Sequence, residues 1–409
     1  MKRALIIVAA AVVLAGIGVV GAYFMFFADK GGIAVAPAAN SGLPLAGQVS
    51  PSSSGGGSSG GSTISTPGAS NGTPVAVSTR LVQISAGPVV PGVAAVSMKA
   101  KNASSSPSVS VSFIERESGN VFTYLTETKS LTRINNKTLP GIEVALWLPD
   151  ASVAFVRYLS GNDFSTVNTY ALASSSQNGF FLSQNLSGIA VSSSGVLTLA
   201  SGVNGTTASL LRTDGTRPST VFTTPLTSIR ASFLGKNQYL IFSKPSASLP
   251  GSAFMVDGTT RFSRIAGPLR GLVALPSPLG KWLLVSYTTD GGTMQMKLVN
   301  TATGSTVPLP VATIADKCVW TADDTSVYCG VPVNPNPSYT YPDDWYQGAA
   351  HFSDRIWKIE VAGRFAQLVL DFKEAAKGDL DAEALAIDPL KTTLVFVNRN
   401  DDSLWSYAL

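Results

Sequence analysis

One short segment carries most of the side chains that could bind a ligand. Six of the twenty residues from 338 to 357 are aromatic, against 9% of the whole chain, and the only histidine lies among them. Aromatic rings beside carboxylates suit stacking on a sugar, and they also suit a protein hot spot, where Tyr and Trp are enriched. The candidate binding residues are Tyr339, Tyr341, Asp343, Asp344, Trp345, Tyr346 and His351.

Three interpretations of this segment compete. It could fold back as a lid whose aromatic rings only pack, it could contact a protein, or it could bind a glycan. Asp343 and Asp344 fall short of the roughly six to eight oxygen ligands that calcium takes, so no metal is predicted, and no other cofactor is predicted either. His351 is expected to be a hydrogen-bonded structural residue rather than a catalytic base.

The case for an enzyme is weak. A hydrolytic triad needs a nucleophile, a base and an orienting acid, and the sequence has one histidine. Residues 68–72 fit the G-x-S-x-G pattern, but they lie in Gly/Ser-rich sequence rather than between a strand and a helix. A glycosidase needs two carboxylates at a fixed separation, for which Asp343, Asp344 and Asp354 are candidates by proximity alone. A non-catalytic role is therefore predicted.

The two cysteines predict a disulfide bond. Cys318 and Cys329 flank a turn whose centre falls between Asp323 and Asp324, so a symmetric hairpin places them opposite each other. Opposed residues of a non-hydrogen-bonded pair lie about 4.5 Å apart at Cα, within the range of about 4.4–6.8 Å that disulfides accept. The alternative is two buried free thiols. Metal binding is not expected, because neither a C-x-x-C motif nor a histidine partner is available.

The N-terminal residues predict a membrane anchor. Residues 4–28 carry no charge, and a helix of that length reaches about 37 Å, enough to cross a hydrocarbon core of about 30 Å. The basic Met1-Lys2-Arg3 end is expected to stay inside, which places the rest outside a bacterial cytoplasmic membrane as a single-pass protein. A cleaved signal peptide is the alternative, although Pro37 follows the Ala34-Val35-Ala36 site.

The composition separates the exported part into two regions. Residues 31–78 are rich in Gly, Ser and Pro and predict a flexible linker, so the domains are 1–30, 31–78 and 79–409. Positive side chains exceed negative ones by only four, too few to suggest nucleic-acid binding. From residue 79 onward, short β-rich runs are broken by turn residues, and 372–377 is the one helix candidate.

A repeat of an apolar run, a turn and a second apolar run organises the folded part. Comparable starts fall about 42–45 residues apart, with a longer last interval that holds the aromatic segment, and this period with four strands is typical of a propeller blade. The starts are Leu146, Ala190, Ser232, Ala274, Val319 and Ala386. An earlier unit at 93–134 makes seven.

The ends of the folded region predict how the ring closes. The seventh unit stops after three strands, whereas residues 79–85 form a strand that has no unit of its own. Supplying the missing outer strand from 79–85 would remove an exposed edge. The predicted fold is therefore all-β, a seven-bladed β-propeller, with six or eight blades as alternatives.

Two turns resemble a known repeat. Residues 147–150 (Trp-Leu-Pro-Asp) and 320–323 (Trp-Thr-Ala-Asp) resemble the W-S-P-D-G turn of TolB-type, WD40-like propeller repeats. The resemblance covers 79–409 as repeat architecture. It implies a binding platform, and it does not imply any particular reaction.

These predictions combine into one expected function. The aromatic insertion, 333–353, lies between the second and third strands of the sixth unit, and propellers generally place such loops on the face that carries the binding site. We expect a membrane-anchored extracytoplasmic module that binds a protein partner or acts as a scaffold in the cell envelope. The alternative is a glycan-binding protein, glycosidase or lyase that uses the same insertion.

Overall fold

The computed structural model describes residues 80–98, 108–135, 137–174 and 179–409, together with the backbone of a two-residue strand at 75–76. Within these residues, no helix is both long enough and apolar enough to cross a membrane. The predicted anchor lies outside the described residues. Most of the predicted linker also lies outside them. Its residues 75–76 form a short strand, because they pair with residues 82–83 of the following strand.

Two strands precede the first four-stranded sheet. They are β1 (Val75–Ala76) and β2 (Leu81–Ser85). The first sheet contains β3 (Ala94–Met98), β4 (Ser108–Ile114), β5 (Val121–Leu125) and β6 (Ser130–Asn135). The second contains β7 (Ile142–Trp147), β8 (Val153–Ser160), β9 (Thr166–Ala173) and β10 (Phe180–Phe181). The third contains β11 (Gly188–Ser192), β12 (Gly195–Gly202), β13 (Gly205–Leu211) and β14 (Ser219–Thr224).

Three more sheets complete the described domain. A seven-stranded sheet contains β15 (Ile229–Phe233), β16 (Tyr239–Ser243), β17 (Pro250–Val256), β18 (Phe262–Pro276), β19 (Trp282–Thr288), β20 (Met294–Asn300) and β21 (Thr306–Pro308). The next contains β22 (Cys318–Trp320), β23 (Ser326–Pro332), β24 (Asp354–Glu360) and β25 (Phe365–Asp371). The last joins β26 (Ala382–Ile387), β27 (Thr393–Asn398) and β28 (Ser403–Ala408) to β2 and β1.

The seven-stranded sheet consists of two four-stranded sets that share β18. The first part of β18 pairs with β17 and its last part pairs with β19, and the register shifts between Arg270 and Val273. Gly271 sits in this shift with a φ of 59°, and a Cβ there would lie 2.8 Å from the Pro342 ring. Glycine therefore allows both the bend and the close approach of the insertion.

The ring closes through the strand that the sequence predicts. β2 pairs antiparallel with β28 and supplies the outer position of the last sheet. β3 of the first sheet contacts β26 and β27 of the last, and the Ser97 hydroxyl donates to Asp388 Oδ2 at 2.8 Å. A buried cluster that includes Ile84, Val111 and Val395 fills the space between these two sheets.

Repeated positions in the sequence occupy repeated positions in the fold. Every predicted repeat start lies in the first strand of a four-stranded set, counting β18 as the first strand of the set that ends at β21. Trp147 and Trp320 are held in a similar way, because each indole N–H donates to a backbone carbonyl in or just before the first strand of the preceding set, Gly92 at 3.0 Å and Leu275 at 3.2 Å. The core lies between neighbouring sheets, as the alternating pattern requires.

Two local predictions are confirmed. Cys318 and Cys329 are directly opposed in the β22–β23 register and form a disulfide, with their Cα atoms 4.1 Å apart. The predicted helix at 372–377 is a single turn, α2 (Phe372–Ala375), and the Asp371 carboxylate caps it by accepting from the Lys373 N–H at 3.0 Å. A 3₁₀ turn (Ala315–Lys317) and the helical turn α1 (Asp343–Tyr346) complete the regular elements among the described residues.

Candidate functional site

The insertion between β23 and β24, residues 333–353, lies across several sheets, and we call it the cap. Its backbone carbonyl at Tyr341 accepts from the Thr288 hydroxyl at 2.8 Å, next to the end of β19. Its Asp343 carboxylate accepts from the Ala247 N–H, between β16 and β17, at 3.1 Å. Contacts to the last sheet, described below, fix its other side. The cap is therefore tied to three four-stranded sets besides its own: the two that share β18, and the last one.

Two of the predicted binding residues form the buried side of the cap. Tyr341 and Trp345 are each 4% exposed. The Tyr341 ring packs on Phe352 with centroids 5.2 Å apart, and its hydroxyl donates to the Asn336 carbonyl at 3.1 Å. These two aromatic side chains belong to the same apolar cluster as β18 to β24, so they pack as the lid interpretation expects.

A buried charge cluster holds the cap from below. The Lys317 ammonium contacts Asp354 Oδ2 at 2.8 Å and also contacts Asp381 Oδ1, and all three side chains have no exposed surface. Asp381 Oδ2 accepts from the Trp345 indole N–H at 3.1 Å and from the Phe352 N–H at 3.0 Å. We call Lys317, Asp354 and Asp381 the Lys317 cluster. It joins the 3₁₀ turn, the cap and the last sheet.

Burial and neighbouring charges set the titration of this cluster. Burial alone would lower the pKa of Lys317, but the carboxylates of Asp354 and Asp381 outweigh it and raise that pKa. Burial raises the pKa of Asp354 to about 6, with Lys317 lowering it and Asp381 raising it. Asp381 accepts three hydrogen bonds, whereas Asp354 Oδ1 has no partner. The folded protein therefore favours the protonated form of Asp354.

The open side of the cap borders a pocket of about 550 Å³, which we call the edge pocket. Its polar lining comes from β15, from the residues after β16, from the 3₁₀ turn and from α1. The side chains that matter chemically are Arg230, Lys244, Ser246, Asp316, Asp343 and Tyr346. Its size falls in the range of about 300–1,000 Å³ typical of small-ligand sites.

Three of these side chains form a fixed network. The Arg230 guanidinium donates to both carboxylate oxygens of Asp316, at 2.7 and 3.1 Å, and to the Tyr346 hydroxyl at 3.2 Å. The Tyr346 hydroxyl in turn donates to Asp316 Oδ2 at 2.7 Å. Desolvation alone would lower the pKa of Arg230, but Asp316 raises it, and desolvation together with Asp316 raises the pKa of Tyr346. Arg230 therefore stays positively charged and Tyr346 stays uncharged around neutral pH.

The other predicted site residues lie in different surroundings. Asp343 lines the edge pocket, whereas Asp344 is used inside the cap, where its Oδ2 accepts from the Thr340 N–H at 2.6 Å. Tyr339 is 36% exposed and meets the Tyr341 ring edge-on. His351 is exposed, and its expected structural hydrogen bond is not found among the described residues.

The carboxylates considered for glycosidase chemistry are not brought together. Asp343 faces the edge pocket, Asp344 stabilises the cap, and Asp354 is buried in the Lys317 cluster. Among the described residues, no group of three or more His, Cys, Asp or Glu side chains could hold a metal ion.

Sequence reasoning missed Arg230, Lys244, Ser246 and Asp316. One signal was available: Arg230 is a charged residue in a first strand that otherwise carries apolar and small side chains, Ile229–Phe233. An arginine in such a strand needs an acidic partner nearby. The partner, Asp316, is 86 residues away, so the sequence alone could not identify it.

Comparisons with known proteins concern the fold. No family model matches the chain, and no curated protein matches it. It is similar to the oligogalacturonate lyase from Vibrio parahaemolyticus, with a TM-score of 0.54 and 8% identity over 80% of this chain and 93% of that one. The chain is also similar to an oligogalacturonate lyase in complex with manganese, with a TM-score of 0.52 and 9% identity over 82% of this chain and 95% of that one. For the β-propeller domain of the Trilobed protease from Pyrococcus furiosus, the TM-score is 0.47 and the identity is 9% over 76% of this chain and 93% of that one.

At these identities the likeness shows the fold and no activity. The successive antiparallel four-stranded sets, the cores between neighbouring sheets and the pairing of the first strand with the last agree in one architecture. The described part of the chain is a β-propeller.

Proposed function

We propose that the protein is a non-catalytic binding module: a seven-bladed β-propeller, tethered outside the cytoplasmic membrane, that takes its ligand in the edge pocket. The blade count is supported by the sheet topology. Counting the two halves of the seven-stranded sheet separately gives seven four-stranded sets, and β2 completes the last of them. Six blades would leave one of these sets over, and eight would need a further set that the described residues do not supply.

The disulfide supports the proposed compartment. Disulfides persist in oxidising environments outside the cytoplasm, and Cys318 and Cys329 are bonded to each other. The uncharged stretch at 4–28 supplies the anchor in this proposal. Reporter fusions at the two ends of the full chain test it. We expect a cytoplasmic reporter to work only at the N-terminus, and activity of that reporter at the C-terminus would refute the export.

The observation that carries the proposed function is the fixed geometry of the edge pocket. The cap is anchored by buried hydrogen bonds to Asp381 and Thr288, so the pocket walls are ordered before any ligand arrives. Preorganised walls reduce the entropy lost on binding. The pocket therefore offers a ligand site that needs no rearrangement of the cap.

The same geometry limits the surface available for a large aromatic contact. Burial of Tyr341 and Trp345 leaves Tyr339 and Tyr346, each 36% exposed, as the exposed rings of the cap that the sequence singled out. Protein hot spots depend on large aromatic anchors. The exposed area thus favours a ligand of pocket size, and the protein partner remains a prediction from the sequence.

Blocking the pocket tests the proposed function. Gln347 lines the pocket from the cap and is exposed, so Gln347→Trp should fill it while keeping the backbone bonds of α1. Gln367→Trp, on the exposed outer strand β25, is the matched control. Saturation-transfer NMR of the detergent-solubilised full chain would screen sugars, amino acids, nucleosides, carboxylic acids and short peptides.

We expect compounds that bind the wild-type protein to lose their signal with Gln347→Trp and to keep it with Gln367→Trp. If the pocket-blocked protein binds every compound that the wild type binds, the edge pocket is not the ligand site. Turnover of a bound compound by the wild-type chain would overturn the non-catalytic role.

A further inference from the structure

We propose that the ligand of the edge pocket is an uncharged saccharide unit rather than a sugar acid. This inference rests on the proposed function, because it takes the edge pocket as the ligand site. The first observation is the charge of the lining: Arg230 and Lys244 are positive, and Asp316 and Asp343 are negative. These charges cancel, so the pocket has no net preference for an anion or a cation.

The second observation is that the strongest anion-binding group is already used. Arginine binds a ligand carboxylate through two paired N–H groups, but the paired N–H groups of Arg230 already donate to the two carboxylate oxygens of Asp316. The Tyr346 hydroxyl takes a further N–H of the guanidinium. A ligand carboxylate would have to displace Asp316 or lie close to it, and both arrangements are unfavourable.

The third observation is the mixture of donors and acceptors left for a ligand. The Lys244 ammonium makes no hydrogen bond or ion pair with any described residue, and it can only donate. Asp343 keeps lone pairs beyond its bond to the Ala247 N–H, and it can only accept. Gln347 does both. The Ser246 hydroxyl bonds to the Ser248 N–H at 3.3 Å and to the Ser248 hydroxyl at 2.9 Å, which leaves it one further hydrogen bond for a ligand. A hydroxyl also both donates and accepts, so a polyhydroxylated ligand matches this lining where a carboxylate does not.

The fourth observation is the aromatic wall. The Tyr346 side chain is 36% exposed, and the hydrogen bonds of its hydroxyl to Asp316 and Arg230 hold the ring in place. A fixed ring with a polar edge loses little entropy when an apolar sugar face packs on it. Together, the balanced charges, the occupied guanidinium and the fixed ring define a site for a neutral sugar.

Titration with matched oligosaccharides tests the inference. The full chain in detergent would be titrated by calorimetry with neutral tetramers of glucose, mannose and N-acetylglucosamine, and with tetragalacturonate as the acidic probe of equal length. We expect at least one neutral tetramer to bind about tenfold more tightly than tetragalacturonate. The difference should persist when the salt concentration is raised, since the preference does not depend on net charge.

Substitutions in the lining provide a readout that a structural role would not move. Asp343→Asn keeps an oxygen that can accept from the Ala247 N–H but removes the negative charge. We expect this variant to bind the neutral tetramer about tenfold more weakly. Its affinity for tetragalacturonate should rise relative to its affinity for the neutral tetramer. Lys244→Ala should weaken the neutral tetramer about threefold. Lys236→Ala, at the other end of β16 and also exposed, should leave both affinities unchanged.

The outcomes separate this inference from the proposed function. Tighter binding of tetragalacturonate, abolished by Gln347→Trp, would overturn the neutral-sugar assignment and keep the pocket as the ligand site. The same conclusion follows if amino acids or peptides bind in a Gln347→Trp-sensitive manner and no saccharide does. If no compound of any class is sensitive to Gln347→Trp, both proposals fall.

Discussion

Asp316 and Lys317 are neighbours in the chain, yet each takes part in a different kind of ion pair. Lys317 meets Asp354 and Asp381 with no exposed surface on any of the three side chains. Asp316 meets Arg230 in an open pair whose side chains are 23% and 40% exposed. The 3₁₀ turn therefore directs the Lys317 charge into the interior and the neighbouring Asp316 charge toward solvent.

The two ion pairs have different roles in the structure. A buried pair gains specificity from desolvation, and removing one partner leaves an uncompensated charge in the interior. An exposed pair is screened by water and contributes little to stability. The Lys317 cluster therefore fixes the cap in place, whereas the Arg230–Asp316 pair arranges the lining of the edge pocket.

The largest expected effect follows from breaking the buried pair. Lys317→Met removes the cation and leaves Asp354 and Asp381 buried without it. We expect the free energy of unfolding to fall by about 3–5 kcal/mol, measured by urea denaturation followed by tryptophan fluorescence. Adding Asp354→Asn and Asp381→Asn to Lys317→Met should restore most of the loss. A loss below about 1 kcal/mol for Lys317→Met would contradict the anchoring role.

The stability of the buried cluster should depend on pH. The folded pKa of Asp354 is about 6, above an unfolded value of about 3.9, so the folded state binds this proton more tightly. Its contribution to stability is complete below the unfolded pKa and is lost as the pH rises through 6. The loss should reach at most about 3 kcal/mol, and Asp354→Asn should remove it from urea titrations between pH 4 and 7.

Other charges face this cluster and need a control. Arg399 donates to Glu383 Oε2 at 2.8 Å and stacks on the Trp345 ring at 4.5 Å. Burial raises the pKa of Glu383, while Arg399 lowers it, so this group adds a pH dependence of the same sign. Glu383→Gln measures that share separately. A pH profile that survives Asp354→Asn unchanged would show that Asp354 is ionised throughout this range in the folded protein.

The disulfide lies directly after the buried charge in the chain. Replacing Cys318 and Cys329 together by alanine should lower the free energy of unfolding by up to about 3 kcal/mol, from the chain entropy of a short loop. Adding reductant should lower the free energy of unfolding of the wild-type protein by a similar amount, measured from the shift of its urea midpoint. The double variant should not respond to reductant, and a response would place the effect of the reductant elsewhere.

The smallest effect is expected for the open pair. Arg230→Met should lower the free energy of unfolding by less than about 1 kcal/mol, and this small loss should shrink further at high salt. The same variant should lose ligand binding, because the Asp316 carboxylate and the Tyr346 ring are no longer held by the guanidinium. A loss as large as that of Lys317→Met would erase the distinction between the two clusters.

The fold was largely predictable because its signals are local. The alternation of apolar residues and the turns between them indicate the strands, and the position of Cys318 opposite Cys329 followed from the symmetry of one hairpin. The closing role of Leu81–Ser85 followed from counting strands at the two ends.

The candidate site was predictable only in part, because its contacts are long-range. The burial of Trp345 depends on Asp381, 36 residues later, and the place of Tyr346 depends on Arg230, 116 residues earlier. A single sequence contains no pattern that connects such positions. The aromatic segment could therefore be located, while the division of its rings between core and surface required the structure.

The closing strand also has a mechanical consequence. Any pull on the chain before residue 75 reaches the propeller through β1, which pairs with β2 at only two positions, and then through β2, which pairs with β28. The load is thus applied to the β2–β28 pairing that closes the ring, the seam, rather than to the other blades. Under tension, β1 should peel away first and act as a weak link that spares the seam until the force rises further.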